Sequence, residues 1–187
     1  KSYRIREVEQ FALQNPDVLS VEGWQFLSFE LLYADGTVAE NINVFAPPAE
    51  SKLIEPILVA GRWMQATDVR KILLSEKVLD TYPALKPGDS ISLKINGREE
   101  TWEVIGLFKF VGQEGVFGYI PLEYASQITN LPNRSSSFRV VTTQHDRVSQ
   151  DLMAEELDRF FRDAGFKVRK AESGLASLDS ALESLDI

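Results

Sequence analysis

Residues Leu58 to Phe108, LVAGRWMQATDVRKILLSEKVLDTYPALKPGDSISLKINGREETWEVIGLF, carry the densest run of structural signals in the chain. Gly61 suits a tight turn, Lys71 to Leu74 form a short apolar strand, and Ser75 has the side chain to cap a helix through Val78, Leu79 and Tyr82. Pro87-Gly88-Asp89 turns the chain, after which Ser90 to Ile95 alternates, with Ile91, Leu93 and Ile95 on one face. Asn96-Gly97 supplies the pair of positive-φ residues that a two-residue hairpin needs. The return strand, Glu100 to Phe108, passes from alternation into a continuous apolar run, which predicts burial on both faces near its end.

The order of these parts resembles the extracytoplasmic core domain of MacB-like and FtsX-like ABC transporter permeases. The matching residues are Leu58, Gly61, Arg62 and Trp63; Leu73, Leu74 and Ser75; Gly88, Asp89, Ile91 and Leu93; and Val104, Ile105, Gly106 and Leu107. A further phrase of that family, with Pro16, Val18 and Val21, stands upstream.

Composition is consistent with that resemblance. The chain has 187 residues, 44% of them hydrophobic and 26% charged, enough for one core or two small ones. Cysteine is absent, which excludes disulfides, thiolate metal sites and cysteine nucleophiles. A formal net charge of −8 argues against a nucleic-acid binder. No apolar run reaches the length of a membrane span, and no signal-peptide pattern stands at Lys1. The resemblance implies that membrane helices attach beyond the two ends, with the domain itself extracytoplasmic, periplasmic or extracellular.

In chain order, Ile5, Val8, Phe11 and Ala12 recur at helical spacing and predict an amphipathic helix over Lys1 to Asn15, with Pro16 just past its end. Phe26 to Tyr33 and Thr37 to Phe45 read as strands joined through Asp35-Gly36, with Leu27, Phe29 and Leu31 on a face that Ile42 and Val44 can meet. Past Phe108, Gly112, Gly115 and Gly118 punctuate a flexible loop around Phe110, Val111 and Phe117. Pro121 suits the first turn of a helix reaching Thr129, and Asn130 to Ser137 is the best linker. A strand over Phe138 to Val141, a helix from Asp146 or Ser149 ended by Gly165, and a strand over Phe166 to Ala171 predict a strand-helix-strand unit. Leu175, Leu178, Leu182 and Leu185 predict a final amphipathic helix.

The fold class expected is α+β. Resemblance implies two lobes: a porter-type lobe from residues 1–51 plus 132–187, interrupted by a small mixed α/β lobe from 52–131. A single mixed sheet is the alternative that periodicity leaves open.

Catalytic chemistry finds little support. His145 is the only histidine, no Gly-x-Ser-x-Gly elbow accompanies it, and it reads as a loop residue before a helix. Neither a histidine-rich metal motif nor a calcium loop occurs, and Glu99-Glu100, Glu155-Glu156 and Asp158 read as solvated faces. A phosphate-binding Gly-x-x-x-x-Gly-Lys loop is missing, so no cofactor is expected in this chain. Phe160 and Phe161 read as core. Phe110, Val111 and Phe117 stand between two readings, a strand end packed in the core and a surface contacting a partner or substrate.

The resemblance implies a non-enzymatic, mechanical role. ATP would be bound by a separate ATPase domain or subunit, and the partners would be a second permease copy, that cytoplasmic ATPase, and a periplasmic adaptor or a cell-wall hydrolase. A free-standing ligand- or protein-binding module is the second reading, and an acid-rich hydrolase the third.

Overall fold

Alternation on the hairpin strands generates the main core. The computed structural model describes residues 2–54 and 56–171, so the expected helix over Leu175 to Leu185 lies outside the described residues. The elements are β1 (Tyr3–Arg4), α1 (Ile5–Ala12), β2 (Val18–Leu32), β3 (Val38–Ala46), β4 (Ile57–Gly61), β5 (Lys71–Ser75), β6 (Ser90–Ile95), β7 (Arg98–Lys109), β8 (Val116–Tyr119), α2 (Leu122–Ile128), β9 (Arg134–Ser135), β10 (Ser137–Thr142) and α3 (Arg147–Asp163). The chain is thus mixed α and β, as expected. It divides into two compact units, residues 1–21 with 139–187, and residues 22–138.

In the second unit, β2 pairs antiparallel with β3, β3 parallel with β8, β8 antiparallel with β5, β5 parallel with β7, and β7 antiparallel with β6. β6 returns to β2 through Glu30 opposite Lys94 and Leu31 opposite Leu93. The six strands therefore close into a small barrel, which removes their free edges. β4 stands outside the ring, paired with the end of β7.

One residue in two points inward. Phe29 and Leu31 of β2, Ile42 and Val44 of β3, Ile72 and Leu74 of β5, and Trp102 and Val104 of β7 share one buried cluster. The intervening residues Leu73, Ile105, Phe108 and Tyr119 form a second cluster with Ala49 and Met64. Those two clusters are why β7 reads as apolar on both faces at its end.

Both hairpins form as their turn residues dictate. Asn96 and Gly97 have φ of 50° and 78°, the pair of left-handed conformations that matches the twist of the flanking strands. At the first hairpin Thr37 donates its N–H to Asp35 Oδ1, and Phe29 lies opposite Ile42, Leu27 opposite Val44.

Other sequence expectations need correction. Ser75 caps no helix: its hydroxyl accepts the Phe117 N–H at 3.0 Å, and a 3-10 turn of five residues, Glu76–Asp80, follows. The opening helix is confined to Ile5–Ala12 because Tyr3 and Arg4 are extended. Pro121 is the N-cap of α2 rather than a first-turn residue. Asn130 to Ser137 is no free linker. Ser135 is 1% exposed, its hydroxyl donates to the Trp24 and Ser137 carbonyls, and the Arg134 carbonyl accepts from Gln25 Nε2. The hairpin β2–β3 shares its buried cluster with Ile72, Leu93 and Trp102. A period of two says which residues are inward, not whose core they enter.

In the first unit, α3 starts at Asp146, whose carboxylate accepts the Ser149 N–H at 2.9 Å. Asn15 ties the chain end of α1 into this unit by donating to Glu156 Oε1 and accepting the Asp17 N–H. Phe166 to Ala171 forms no strand in the described residues. Its Lys167 N–H is taken by the Tyr3 hydroxyl at 2.8 Å rather than by a ladder carbonyl, so the expected strand-helix-strand unit lacks its second strand.

Candidate functional site

The family-like phrases do structural work at the seam between β4 and β7. Gly61 lies opposite Gly106 in the ladder. A Cβ on Gly61 would stand 2.2 Å from the Ile105 carbonyl oxygen and 2.7 Å from Gly106 Cα, and Gly61 itself has φ of +78°. Two glycines from separate phrases thus permit one close backbone approach. Arg62 then turns back and forks onto Asp68, with both nitrogens 2.9 Å from the carboxylate, while the Gln65 N–H donates to the same group at 2.7 Å. Trp63 donates its indole N–H to the Ala49 carbonyl. Gly88 and Asp89 fasten to β7 through the Val104 carbonyl and N–H.

Asp68 is 4% exposed, and burial works to raise its carboxyl. The Arg62 hydrogen bonds, the Gln65 amide and the charges of Arg62 and Lys71 outweigh that effect and hold it below the usual 3.8. A carboxyl depressed in the folded state contributes stability that is present above its unfolded value and lost as pH falls through the folded one. Melting temperature is accordingly expected to drop as pH is lowered below about 4, and less steeply in Asp68→Asn, a comparison that parallel calorimetric scans provide. Identical slopes in both proteins would contradict this role for the pair.

Beyond that seam, Phe45 connects a continuous aromatic layer on the outside of the barrel. Its ring stacks on Phe117 at 5.7 Å, meets Phe26 edge-on at 5.5 Å, and lies 5.6 Å from Tyr119. Phe110 joins through Phe117 at 4.7 Å and Phe108 at 6.2 Å. Of the three residues singled out from the sequence, Phe110 and Phe117 are half-buried in this layer, whereas Val111 is 83% exposed. Gly112 and Gly115, at φ of 76° and 85°, shape the loop that follows it. A cleft of about 360 Å³ opens beside the loop, lined by Ser75, Glu76, Lys77, Leu79, Asp80, Phe110, Gln113 and Gly115.

A second aromatic cluster lies in the first unit. Phe11 packs on Phe160 at 4.5 Å, Phe161 at 5.2 Å and Phe166 at 5.2 Å, and Tyr3 lies 5.0 Å from Phe166. Sequence periodicity assigns Phe160 and Phe161 to packing on one helix face. It does not reveal that residues at the two ends of the described chain meet there, because no local pattern reports a contact between positions so far apart.

His145 is exposed, as are Glu99 and Glu155. Glu100 accepts the Trp102 indole N–H, and Asp158 pairs with Arg162 at 2.7 Å along α3. Among the described residues no group of three or more potential metal ligands gathers, and no helix is long and apolar enough to cross a membrane.

No curated protein matches the chain. Its fold is similar to that of the extracellular domain of the noncanonic ABC-type transporter YknZ from Gram-positive bacteria, with a TM-score of 0.61 at 16% identity, covering 89% of this chain and 86% of that one. It is also similar to the periplasmic region of MacB from Actinobacillus actinomycetemcomitans, with a TM-score of 0.56 at 16% identity, covering 84% and 74% respectively. The model of the MacB-like periplasmic core domain matches residues 1–160. With the Gly61-Arg62-Trp63 and Val104-Ile105-Gly106 phrases locked together at one seam, and that match spanning most of its length, the chain belongs to the family of MacB-like periplasmic core domains of ABC transporter permeases.

Proposed function

We propose that this domain is a non-enzymatic part of its permease that passes ATP-driven motion of the cytoplasmic and membrane parts outward to the handling of a substrate or partner. The observation that carries the reading is the clasp of Tyr3, Phe11 and Phe166. It fastens the start of the described chain to the segment after α3, with the Lys167 N–H on the Tyr3 hydroxyl. An opening segment held beside the segment that follows α3 suits a domain whose flanking parts return to one bilayer, and two segments so joined move as one piece. The first unit, in its observed bounds, takes the part of the porter-type lobe. On the second unit, Phe110, Val111 and Phe117 form the contact surface for the partner.

Spin labels at Ser2 and Lys170 test the tether. A short, narrow distance distribution is expected, broadening in Tyr3→Ala, which removes both the ring contact and the hydroxyl. A distribution centred on opposite poles of the first unit would remove the support for a membrane-tethered domain.

A further inference from the structure

The cleft beside the Val111 loop has a charge pattern that defines what fits it. Lys77 bonds Asp80 at 2.7 Å, so that cation is already occupied. That hydrogen bond first, then the Asp80 charge, and after these the charges of Glu114 and Glu40, raise the Lys77 pKa. Glu76 adds another carboxylate to the lining. Glu76 and Asp80 thus flank Lys77 in the lining itself, Glu114 stands in sequence between the lining residues Gln113 and Gly115, and Glu76, Asp80 and Glu114 are all exposed. The chain as a whole carries −8, which disfavours a second copy of itself, a nucleic acid or an anionic lipid at this place.

Acidity alone would be a solvated face. Here it adjoins an apolar side chain that the fold presents rather than hides: Val111 is 83% exposed, directly after Phe110, which lines the cleft. Phe110 rests on Phe117 and Phe108, so the wall beneath the loop is a packed aromatic layer. A surface with an apolar projection and a neighbouring negative cleft complements a polypeptide that carries a cation next to an apolar side chain.

We propose that the cleft between the 76–80 turn and the 110–115 loop docks a segment of a partner protein presenting lysine or arginine beside an apolar residue. This rests on the partner-contact reading of Phe110, Val111 and Phe117 and assigns the chemistry of the partner. Apolar contact with Val111 and Phe110 supplies the desolvated part of the interaction, and the carboxylates steer and orient the cation.

The test is titration of the isotopically labelled 187-residue chain with a hexapeptide alternating lysine and leucine, and with its glutamate-leucine counterpart, followed by backbone amide shifts. Shift changes for the lysine peptide are expected at residues 76–80 and 110–116, with none for the glutamate peptide. The affinity should fall at least about fivefold between roughly 50 and 300 mM salt. Glu114→Lys and Val111→Ser should each weaken binding about fivefold or more, and Glu155→Lys on α3 should not. Both test positions are exposed, so melting temperature should stay at the parent value. Equal response to the two peptides, or shifts centred elsewhere, would overturn the proposal. Indifference to Glu114→Lys would do the same. The wider contact reading is judged separately, by transport in the intact permease: loss on Val111→Asp, at an exposed position, without peptide binding keeps the surface and rejects a basic partner. Unaltered transport on Val111→Asp rejects the surface itself.

Discussion

Gly61→Ala lowers the stability of the barrel by about 4 kcal/mol or more, whereas Gly36→Ala costs about 1 kcal/mol. The two glycines share a left-handed backbone, with φ of +78° and +84°, so the conformational cost of a side chain is similar at both. Their surroundings differ. A Cβ at Gly36 meets nothing within 4 Å, while at Gly61 it would lie 2.2 Å from the Ile105 carbonyl oxygen and 2.9 Å from Pro87 Cγ. Two of the three nearest atoms there are main-chain atoms of β7, which cannot rotate away as the end of a side chain can. β4 would have to leave β7, taking Arg62 and its bond to Asp68 with it. Urea denaturation followed by tryptophan fluorescence measures this in the right place, because Trp24, Trp63 and Trp102 all belong to the second unit. Equal midpoint shifts for the two variants would show that the close approach of β4 to β7 carries no stability.

Trp102→Ala should cost about 3 to 5 kcal/mol, and Trp102→Phe clearly less. Trp102 is 0% exposed in the barrel cluster. Its ring lies 5.4 Å from Phe29 on β2 and 5.5 Å from Tyr124 on α2, and its N–H reaches Glu100. Truncation leaves a cavity bounded by strands that are closed into a ring and therefore cannot easily collapse onto it. Phenylalanine keeps most of the apolar area and leaves only an exposed-side acceptor, Glu100, without its donor. Guanidinium denaturation of both variants, monitored by far-ultraviolet circular dichroism, should order them parent, Phe, Ala. A Trp102→Ala protein with the parent midpoint would contradict the central packing role.

The candidate contact surface was legible only in part. Phe110, Val111 and Phe117 stand out in the sequence because apolar side chains interleaved with glycines are costly to expose. Yet the sequence offers no means to separate them, and the structure does so: two rings lie in an aromatic layer led by Phe45 while Val111 projects. The acidic groups around Lys77 come from three places in the chain, Glu40, the Glu76–Asp80 turn and Glu114. No spacing rule connects them, since loop closure rather than local periodicity brings them together. Similarly, Arg62 was readable as part of a family phrase, but its partner Asp68 was not, as a buried acid six residues away looks like any loop aspartate.

What the sequence by itself determined is local: the inward faces of β2, β3, β6 and β7, the Asn96-Gly97 turn, the stop at Gly165, and through the order of short phrases the family. These follow from backbone sterics and side-chain alternation, which act within a few residues. Tertiary structure decided what depends on a partner far along the chain. Ser75 binds the β8 backbone instead of capping a helix, Ser135 is buried under the Trp24 carbonyl, and Lys167 satisfies its N–H on Tyr3 instead of a ladder. Each is a hydroxyl meeting a backbone group more than forty residues away in sequence. A polar group can be satisfied by any suitable partner, so its choice is made by packing of the whole chain and leaves no periodic trace in the sequence.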